Sequence, residues 1–265
     1  MSLVKLILDA APRTSVLLLN RPPVNAMNTA LLTDIADAIK KVEKDKSKQG
    51  WGLVIAAENG STSSTFSAGL DLSEMYNKSE PQLAEFWGAV QEIWLTLYGS
   101  KLATVAAVNG HSPAGGCLVA MSCDYRVAAS DQPKARVGLN EAKFGLVAPN
   151  WFGTTLQAAV GMRQADKMLQ LGELISFEDA KRFGLFDELV PRSEVLSTGI
   201  ARAEQWASNG PAEARFASKM IQRQHYLDEL KNNRKADIKV FVDRVNNKTM
   251  QDNIGKYLAS LKKGN

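Results

Sequence analysis

The stretch "NGHSPAGGCLVAMSCD" at residues 109–124 decides the fold. It overlaps the end of the apolar run "LATVAAVNG" (102–110), which has the pattern of a strand buried on both faces. The small residues form a turn, residues 116–122 have the pattern of a helix, and "YRVAAS" (125–130) has the pattern of the next strand. This order predicts two parallel strands joined by a right-handed crossover.

The same alternation of strands and helices extends towards the N-terminus. "TSVLLLN" (14–20) and "GLVIAAE" (52–58) predict two further buried strands. The helix between them is expected to be capped by Thr29, and the helix after the second strand to carry Pro81 in its first turn. Repeated strand–helix units of this kind predict an α/β core with a parallel sheet.

After residue 150 the pattern becomes mostly helical. We predict a helix over 153–171, a second with Ser176 as its N-cap, and a short strand in "FDELVP" (186–191). The core is therefore expected to span residues 1–192.

From residue 193 to 265 the pattern is helical, and this segment is expected to mediate oligomerisation. The reason is a set of apolar positions with little sequence left to cover them inside one subunit, since exposed apolar patches mark interfaces. These positions are Leu227, Leu230, Ile238, Phe241 and Val242.

Composition narrows the possible functions. The 265 residues carry a net charge of only +4, without the concentrated basic patch that nucleic acid binding requires. No apolar run reaches the length of a membrane span, and the N-terminus shows neither a secretory h-region nor an Arg-rich transit peptide. No residues have metal-ligand spacing. Cys117 and Cys123 predict free buried thiols, which suit a reducing compartment.

A second small-residue loop, "FSAGLDLSEM" at 66–75, also leads into a helix-like stretch. Glycine lets a backbone approach a ligand closely, and a helix N-terminus offers unpaired N–H groups. If each loop directs one N–H group at the same point, the pair forms an oxyanion hole for a carbonyl that gains charge during reaction. Two tight turns without a ligand are the alternative.

A candidate base lies in "GLNEAKFGLVAPNWFGTT" at 138–155, where Glu141 has small and apolar neighbours. An apolar pocket raises the pKa of a carboxyl group and makes it a better proton acceptor near neutral pH. A surface glutamate is the alternative. His111 precedes the second loop, so a histidine-assisted hydrolase is also conceivable, whereas His225 falls in a polar helical stretch. No dinucleotide fingerprint, Walker A motif or nucleophile elbow is present.

Together these motifs resemble the crotonase (enoyl-CoA hydratase/isomerase) superfamily. The two loops and the Glu141 stretch carry the likeness, with "NRPPVNAMNTALLTDI" (20–35) and "GELISFEDAKRFGLFDELVP" (172–191), so that it covers nearly the whole chain. The resemblance implies a spiral of repeated β-β-α units followed by a C-terminal helical trimerisation segment.

The resemblance also implies roles for individual residues. Leu70 and Gly115 would supply the oxyanion-hole N–H groups, with Gly116 as the second donor if the register shifts by one. Asn140 would contact the thioester side or orient the Glu141 carboxylate. Others would bind the substrate along its pantetheine, nucleotide and adenine parts: Ala68, Gly69, Asp71, Leu72, Val24 and Ala26.

One departure from the family pattern predicts the reaction. Hydratases of the family carry two glutamates, and the first of them aligns with Leu118 here. Since leucine cannot activate water, the resemblance implies an isomerase in which Glu141 alone moves a proton from C2 to C4 of a 3-enoyl-CoA, giving trans-2-enoyl-CoA. The alternatives are another acyl-CoA activity, such as thioester hydrolysis or weak hydration, and a non-catalytic RNA-binding member.

The resemblance further implies the setting of the reaction. Coenzyme A would be part of the substrate, and no separate cofactor or metal is expected. A homotrimer, or a hexamer, in the mitochondrial matrix is expected, with a role in β-oxidation of unsaturated fatty acids. Neither nucleic acid binding nor stable membrane insertion is expected.

Overall fold

A computed structural model describes residues 2–48, 50–58 and 64–263, and the side chains of these ranges as far as residue 260. Its strands are Val4–Ala11 (β1), Thr14–Leu19 (β2), Gly52–Ala57 (β3), Ala103–Val108 (β4), Ser112–Pro113 (β5), Tyr125–Ala129 (β6), Val137–Gly138 (β7) and Glu188–Val190 (β8). The helices are Thr29–Lys44 (α1), Glu80–Tyr98 (α2), Gly115–Ser122 (α3), Asn150–Val160 (α4), Met162–Leu171 (α5), Phe177–Phe183 (α6), Val195–Ser208 (α7), Ala212–Val245 (α8) and Lys248–Lys263 (α9).

The central sheet has the order β1-β2-β3-β4-β6-β8. All pairs from β2 to β8 are parallel, and every residue of β2, β3 and β4 is buried. This confirms the predicted α/β class with its parallel sheet and C-terminal helices. The exception is the antiparallel edge strand β1, which the sequence did not predict. Most residues of β1 are at least partly exposed, so it lacks the apolar run that marks the inner strands.

Two helix boundaries differ from the prediction. The N-cap of α1 is Asn28, whose side chain accepts a hydrogen bond from Leu31 N, whereas Thr29 is the first helical residue. The helix predicted over 153–171 is two helices, because Gly161 takes a φ of 78° and ends α4. Ser176 caps α6 as predicted, accepting a hydrogen bond from Asp179 N.

The two glycine loops lie side by side at the carboxyl ends of β3 and β4. The first loop makes an isolated parallel bridge to the chain after β4, between Thr65 and His111. Ala68 N donates to Val24 O at 2.8 Å, so the 20–26 loop is attached to the same edge. Strands β5 and β7 then pair as a small second sheet, which brings the chain leading to Glu141 alongside. In parallel α/β sheets this edge is where ligands bind.

The apolar positions of α8 are covered inside the chain, contrary to the expectation drawn from the sequence. Leu227, Leu230, Phe241 and Val242 are buried, and Ile238 is partly buried. Helix α8 packs against the aromatic face of α2, where the ring of Phe241 stacks on that of Trp87 with 4.0 Å between the ring centroids. The sequence argument failed because it did not place α2 against α8. The division between residues 192 and 193 stays a prediction.

The described helices show no membrane-spanning segment. None of them combines the length with the apolar character that crossing a bilayer requires, and the long helix α8 carries many charged residues.

Candidate active site

A cavity of about 380 Å³ lies between the two glycine loops and the chain around Glu141. Its walls come from distant parts of the chain: the 20–26 loop, both glycine loops, the short 3-10 helix at Glu141–Phe144, and α9. The predicted site residues among its lining are Val24, Ala26, Ala68, Leu70, Asp71, Leu72, Asn140 and Glu141.

The two predicted oxyanion-hole residues are in contact. A Cβ atom placed on Gly115 would lie 3.1 Å from Leu70 N, and one placed on Gly69 would lie 3.2 Å from Gly115 N. Among the described residues, neither Leu70 N nor Gly115 N donates a backbone hydrogen bond. Gly69 has a φ of 88°, which glycine adopts without strain. The geometry therefore leaves two neighbouring N–H groups available to one ligand oxygen.

The residue before Gly115 is held in an uncommon conformation. Ala114 has φ 46° and ψ −115°, outside the regions that a side chain favours, and its N–H donates to Gly138 O at 2.8 Å. Strain of this kind persists only where the surroundings impose it. Here β7 fixes Ala114, and Ala114 sets the direction of the first amide of α3.

Gly116 has a different environment from Gly115. A Cβ atom at Gly116 would lie 2.8 Å from Ser112 Oγ and 2.9 Å from Ser67 O. It is absent from the cavity lining, as are Gly69 and Gly115, whose neighbours provide the surface. Close packing of α3 against the first loop therefore explains why a glycine occupies position 116.

Glu141 begins its 3-10 helix and points both carboxylate oxygens into a buried, apolar space. Neither oxygen has a hydrogen-bond partner in another described residue. Burial raises the pKa of Glu141 to about 7, against a smaller opposing effect of its own backbone N–H. The carboxyl group therefore exchanges a proton readily at neutral pH.

Asn140 and Asp71 also line the cavity, and they differ in their hydrogen-bond partners. The Asn140 side chain makes no hydrogen bond to Glu141, so within the described residues it does not orient that carboxylate. Asp71 is engaged elsewhere, since its carboxylate pairs with Arg21 Nη2 at 2.8 Å and accepts from Ser73 N at 3.0 Å.

Leu118, which stands where the family resemblance places the first glutamate of hydratases, is apolar and buried. Leu118 is 2% exposed, belongs to the main hydrophobic core, and is not part of the cavity lining. Among the described lining residues the carboxylates are Asp71 and Glu141, and the Asp71 carboxylate is already paired. Glu141 is thus the unpaired carboxylate of this part of the cavity wall.

His111 is the second titratable group in the cavity. Its Nδ1 accepts a hydrogen bond from Arg136 N at 3.0 Å. Burial and the charge of Arg136 lower the pKa of His111, so the ring is neutral at neutral pH. A neutral imidazole that accepts at Nδ1 carries its proton on Nε2.

Sequence reasoning missed the part of the wall that α9 contributes. Tyr257 and Leu258 line the cavity, and the Tyr257 ring meets the Phe144 ring edge-on at 5.0 Å. The amphipathic pattern of "IGKYLASLKK" indicated a helix but not its partner. The remaining lining residues outside the predicted set are Met75, Pro113, Ala114, Leu146 and Leu174.

A second, mostly apolar cavity of about 360 Å³ adjoins the first at Glu141. Glu141 and Leu146 belong to both linings. The other residues of the second lining are Leu139, Ala142, Val147, Ala148, Leu169 and Gln170.

Both cysteines are free, buried thiols, as predicted. Burial raises the pKa of Cys117 strongly, and that of Cys123 to about 12, so neither is a ready nucleophile. Across the residues that the structure describes, no group of three or more His, Cys, Asp or Glu side chains could hold a metal ion.

The site combines a buried carboxylate with a pKa near neutrality and two neighbouring backbone N–H groups that donate no backbone hydrogen bond among the described residues. This combination is typical of the class of protein that removes a proton next to a carbonyl whose oxygen is held by the backbone.

Comparison with known proteins gives the family. Residues 14–264 match the family model described as Enoyl-CoA hydratase/isomerase. The chain is 39% identical over 254 residues to the human mitochondrial enoyl-CoA delta isomerase 1, covering 96% of this chain and 82% of that protein. It is also 34% identical over 219 residues to a crotonyl-CoA hydratase from Syntrophomonas wolfei, covering 82% and 81%.

Comparison with solved structures gives the same family. The crystal structure of human mitochondrial delta3-delta2-enoyl-CoA isomerase matches with a TM-score of 0.93 at 38% identity, covering 99% of both chains. The chain therefore belongs to the enoyl-CoA hydratase/isomerase family, which confirms the resemblance drawn from its motifs. Within that family it is similar to the mitochondrial delta isomerases.

Proposed function

We propose that this chain is a Δ3,Δ2-enoyl-CoA isomerase, which converts cis- or trans-3-enoyl-CoA into trans-2-enoyl-CoA. The observation that carries the proposal is the unpaired Glu141 carboxylate, with its pKa of about 7, together with the neighbouring Leu70 and Gly115 N–H groups. The similarity to delta isomerases over nearly the whole chain supports it.

In the proposed mechanism one carboxylate moves one proton. Glu141 removes a proton from C2 of the 3-enoyl thioester, and the electron pair shifts towards the thioester oxygen. The N–H groups of Leu70 and Gly115 stabilise that oxygen in the dienolate. Protonated Glu141 then returns the proton at C4, which leaves the double bond between C2 and C3. A neutral-range pKa suits a group that must both take and give a proton.

The relatives include hydratases, so the choice of reaction rests on Leu118. Hydration needs a water molecule held and deprotonated beside C3, in addition to the proton exchanged by the first carboxylate. Leu118 offers no lone pair, and Asp71, the other carboxylate in the described lining, is paired with Arg21. A single free base supports isomerisation.

The two cavities suggest how the substrate lies. We propose that the pantetheine and nucleotide pass Ala68, Gly69, Asp71 and Leu72, with Val24 and Ala26 at the adenine end. Glu141 must reach C2 and C4, so the hydrocarbon beyond C4 would continue into the adjoining apolar cavity. No separate cofactor is proposed, because coenzyme A is part of the substrate.

Thioester hydrolysis is the alternative that His111 could support, since it does line the cavity. Hydrolysis assisted by histidine needs a ring nitrogen free to accept a proton. Nδ1 of His111 is occupied by Arg136 N–H, and Nε2 carries the ring proton. This arrangement favours isomerisation. RNA binding has less support, because 28 acidic residues offset the 32 basic ones and leave a net charge of only +4.

Assembly and location are proposed on the same basis. We propose a homotrimer, or a hexamer of two trimers, in the mitochondrial matrix, where the related isomerases named as mitochondrial suggest β-oxidation of unsaturated fatty acids. Ile221 and Val240 of α8 are 79% and 47% exposed in the single chain and would be covered by such assembly.

The experiment is incubation with a 3-enoyl-CoA while the conjugated 2-enoyl product is followed by absorbance and the products are separated by chromatography. Wild type should accumulate 2-enoyl-CoA with little 3-hydroxyacyl-CoA or free coenzyme A. Glu141→Gln should keep acyl-CoA binding and lose about 10²–10⁴-fold in rate. A Glu141→Gln protein that keeps more than about a tenth of the rate would assign the base elsewhere.

A further inference from the structure

His111 has a fixed backbone and a fixed ring. Its N–H donates to Ser64 O at 2.7 Å, and its carbonyl accepts from Phe66 N at 2.9 Å, so the residue is attached to the first glycine loop. Arg136 N holds Nδ1 at 3.0 Å. The ring therefore cannot turn away from the cavity that it lines without losing a hydrogen bond.

The opposite edge of the ring is unused. Within residues 2–48, 50–58 and 64–263, the ring makes its hydrogen bond through Nδ1, and none is found at Nε2, the nitrogen that carries the proton of the neutral ring. The Arg136 guanidinium, whose Nη1 donates to Pro133 O and Ala135 O, carries only donors, so it cannot accept this hydrogen bond. The cavity thus has a neutral donor with a set direction and no acceptor among the described residues.

We propose that the Nε2–H group of His111 donates a hydrogen bond to an amide carbonyl of the pantetheine arm of the acyl-CoA substrate. The inference rests on the proposed function, which places an acyl-CoA in this cavity. His111 is then a substrate-binding residue and takes no part in proton transfer.

The chemistry of the substrate selects this acceptor. The hydrocarbon chain of an enoyl thioester has no hydrogen-bond acceptor, and the thioester oxygen is assigned to the N–H groups of Leu70 and Gly115. The pantetheine amides are the next carbonyl groups along the molecule. A donor fixed before binding loses little conformational freedom when it meets its acceptor, which favours affinity.

The position of His111 in the chain agrees with this acceptor. His111 lies four residues before Gly115, and the first loop runs beside this segment from Thr65 to Leu70. The backbone of His111 is therefore displaced along the loops from the oxyanion-hole amides. A pantetheine arm that follows the first loop past Ala68 would pass it.

The test compares three thioesters of one 3-enoyl acid: with coenzyme A, with N-acetylcysteamine, which keeps one amide, and with ethanethiol, which has none. His111→Phe keeps a ring and removes the donor, and His111→Gln keeps a donor. We expect His111→Phe to raise KM about two- to tenfold for the coenzyme A thioester with kcat unchanged, because it loses one neutral hydrogen bond. For the ethanethiol thioester KM should not change, and His111→Gln should recover part of the loss.

The N-acetylcysteamine thioester identifies which amide is bound. A rise in KM with this substrate assigns the amide nearer the sulfur, and a rise with coenzyme A alone assigns the farther one. An equal rise in KM for the ethanethiol thioester would overturn the proposal, since it would indicate a structural role. A fall in kcat at constant KM, or no change at all, would overturn it too.

A binding measurement separates this inference from the proposed function. Calorimetry of butyryl-CoA binding is done on Glu141→Gln with and without His111→Phe, which needs no turnover. If wild type fails to isomerise any 3-enoyl-CoA but His111→Phe still weakens butyryl-CoA binding, the proposed reaction is wrong and the role of His111 stands. Equal affinities with and without the histidine overturn the role of His111 whatever the reaction. If His111→Phe does not fold, His111→Met serves in both measurements.

Discussion

At the scale of single residues, the proposed mechanism makes Glu141 the group that determines how the rate depends on pH. Because the pKa of Glu141 is about 7 in the free protein, the fraction of Glu141 in the carboxylate form, which accepts the C2 proton, decreases below neutral pH. We expect kcat/KM to be constant above about pH 8 and to fall about tenfold per pH unit below about pH 6. A profile that is flat from pH 5 to pH 8 would exclude Glu141 as the titrating base.

The same residue affects stability with a defined sign. The pKa of Glu141 in the folded state lies above its ordinary value of 4.5. The contribution of this carboxyl group to the free energy of unfolding is therefore fully present below about pH 4.5 and is lost as pH rises through about 7. The difference of 2.5 pKa units corresponds to at most about 3 kcal/mol. Urea unfolding at several pH values should show Glu141→Gln gaining stability over wild type from pH 5 to pH 8. The gain should be absent at pH 4.

Leu118 lies where the family resemblance places a glutamate of hydratases. From the sequence, Leu118→Glu is expected to admit a water molecule and give a small gain in hydration, at a cost in stability and in isomerase rate. The side chain is packed in the core outside the cavity lining, so a carboxyl group there would be buried without a partner. We expect Leu118→Glu to lose several kcal/mol in chemical denaturation and to gain little hydratase activity. Leu118→Met is the control and should lose less than about 1.5 kcal/mol. A stable Leu118→Glu hydratase would contradict this expectation.

At the scale of elements, the partly buried carboxylate of Asp237 joins the C-terminal helix α8 to the core. Asp237 accepts hydrogen bonds from Trp87 Nε1 at 2.6 Å, Gln91 Nε2 at 2.8 Å and Trp151 Nε1 at 3.3 Å. These donors belong to α2 and α4, so one side chain fixes the positions of three helices. Buried polar groups that are fully paired specify a single arrangement of the helices.

Asp237→Ala should therefore cost about 3 kcal/mol of unfolding free energy, because it leaves three largely buried donors without an acceptor. Asp243→Ala is the matched control on the same helix. Its side chain is 62% exposed and, among the described side chains, pairs with Lys239 alone, so Asp243→Ala should cost less than about 1 kcal/mol. Equal midpoints of chemical denaturation for the two variants would contradict the role of Asp237.

Elements also show what sequence can predict about this site. The glycine loops, the buried strands and the apolar neighbours of Glu141 are local in sequence, and pattern and spacing were enough to predict them. Tyr257 lies more than a hundred residues from Glu141, and its place in the wall depends on how α9 crosses the cavity. The cover over Phe241 depends in the same way on α2. Contacts between distant elements leave no periodic signal in either segment.

At the scale of the whole molecule, the exposed face of α8 tests the proposed assembly. Ile221 is 79% exposed in the single chain, so Ile221→Glu should not disturb the fold. If α8 lies in an interface, this change should shift the sedimentation coefficient towards the monomer, whereas Ile221→Leu should leave it unchanged. A wild type that sediments as a monomer would refute the assembly.

The described lining of the cavity around Glu141 includes the turn of α9 that carries Tyr257. If no neighbouring copy adds to this lining, each copy in an assembly is a complete catalyst. When wild type and Glu141→Gln chains are co-expressed and mixed assemblies purified, turnover per assembly should rise in proportion to the share of wild-type chains. A proportional rise would indicate that the copies work independently, whereas a curved dependence would indicate that a neighbouring copy completes the site.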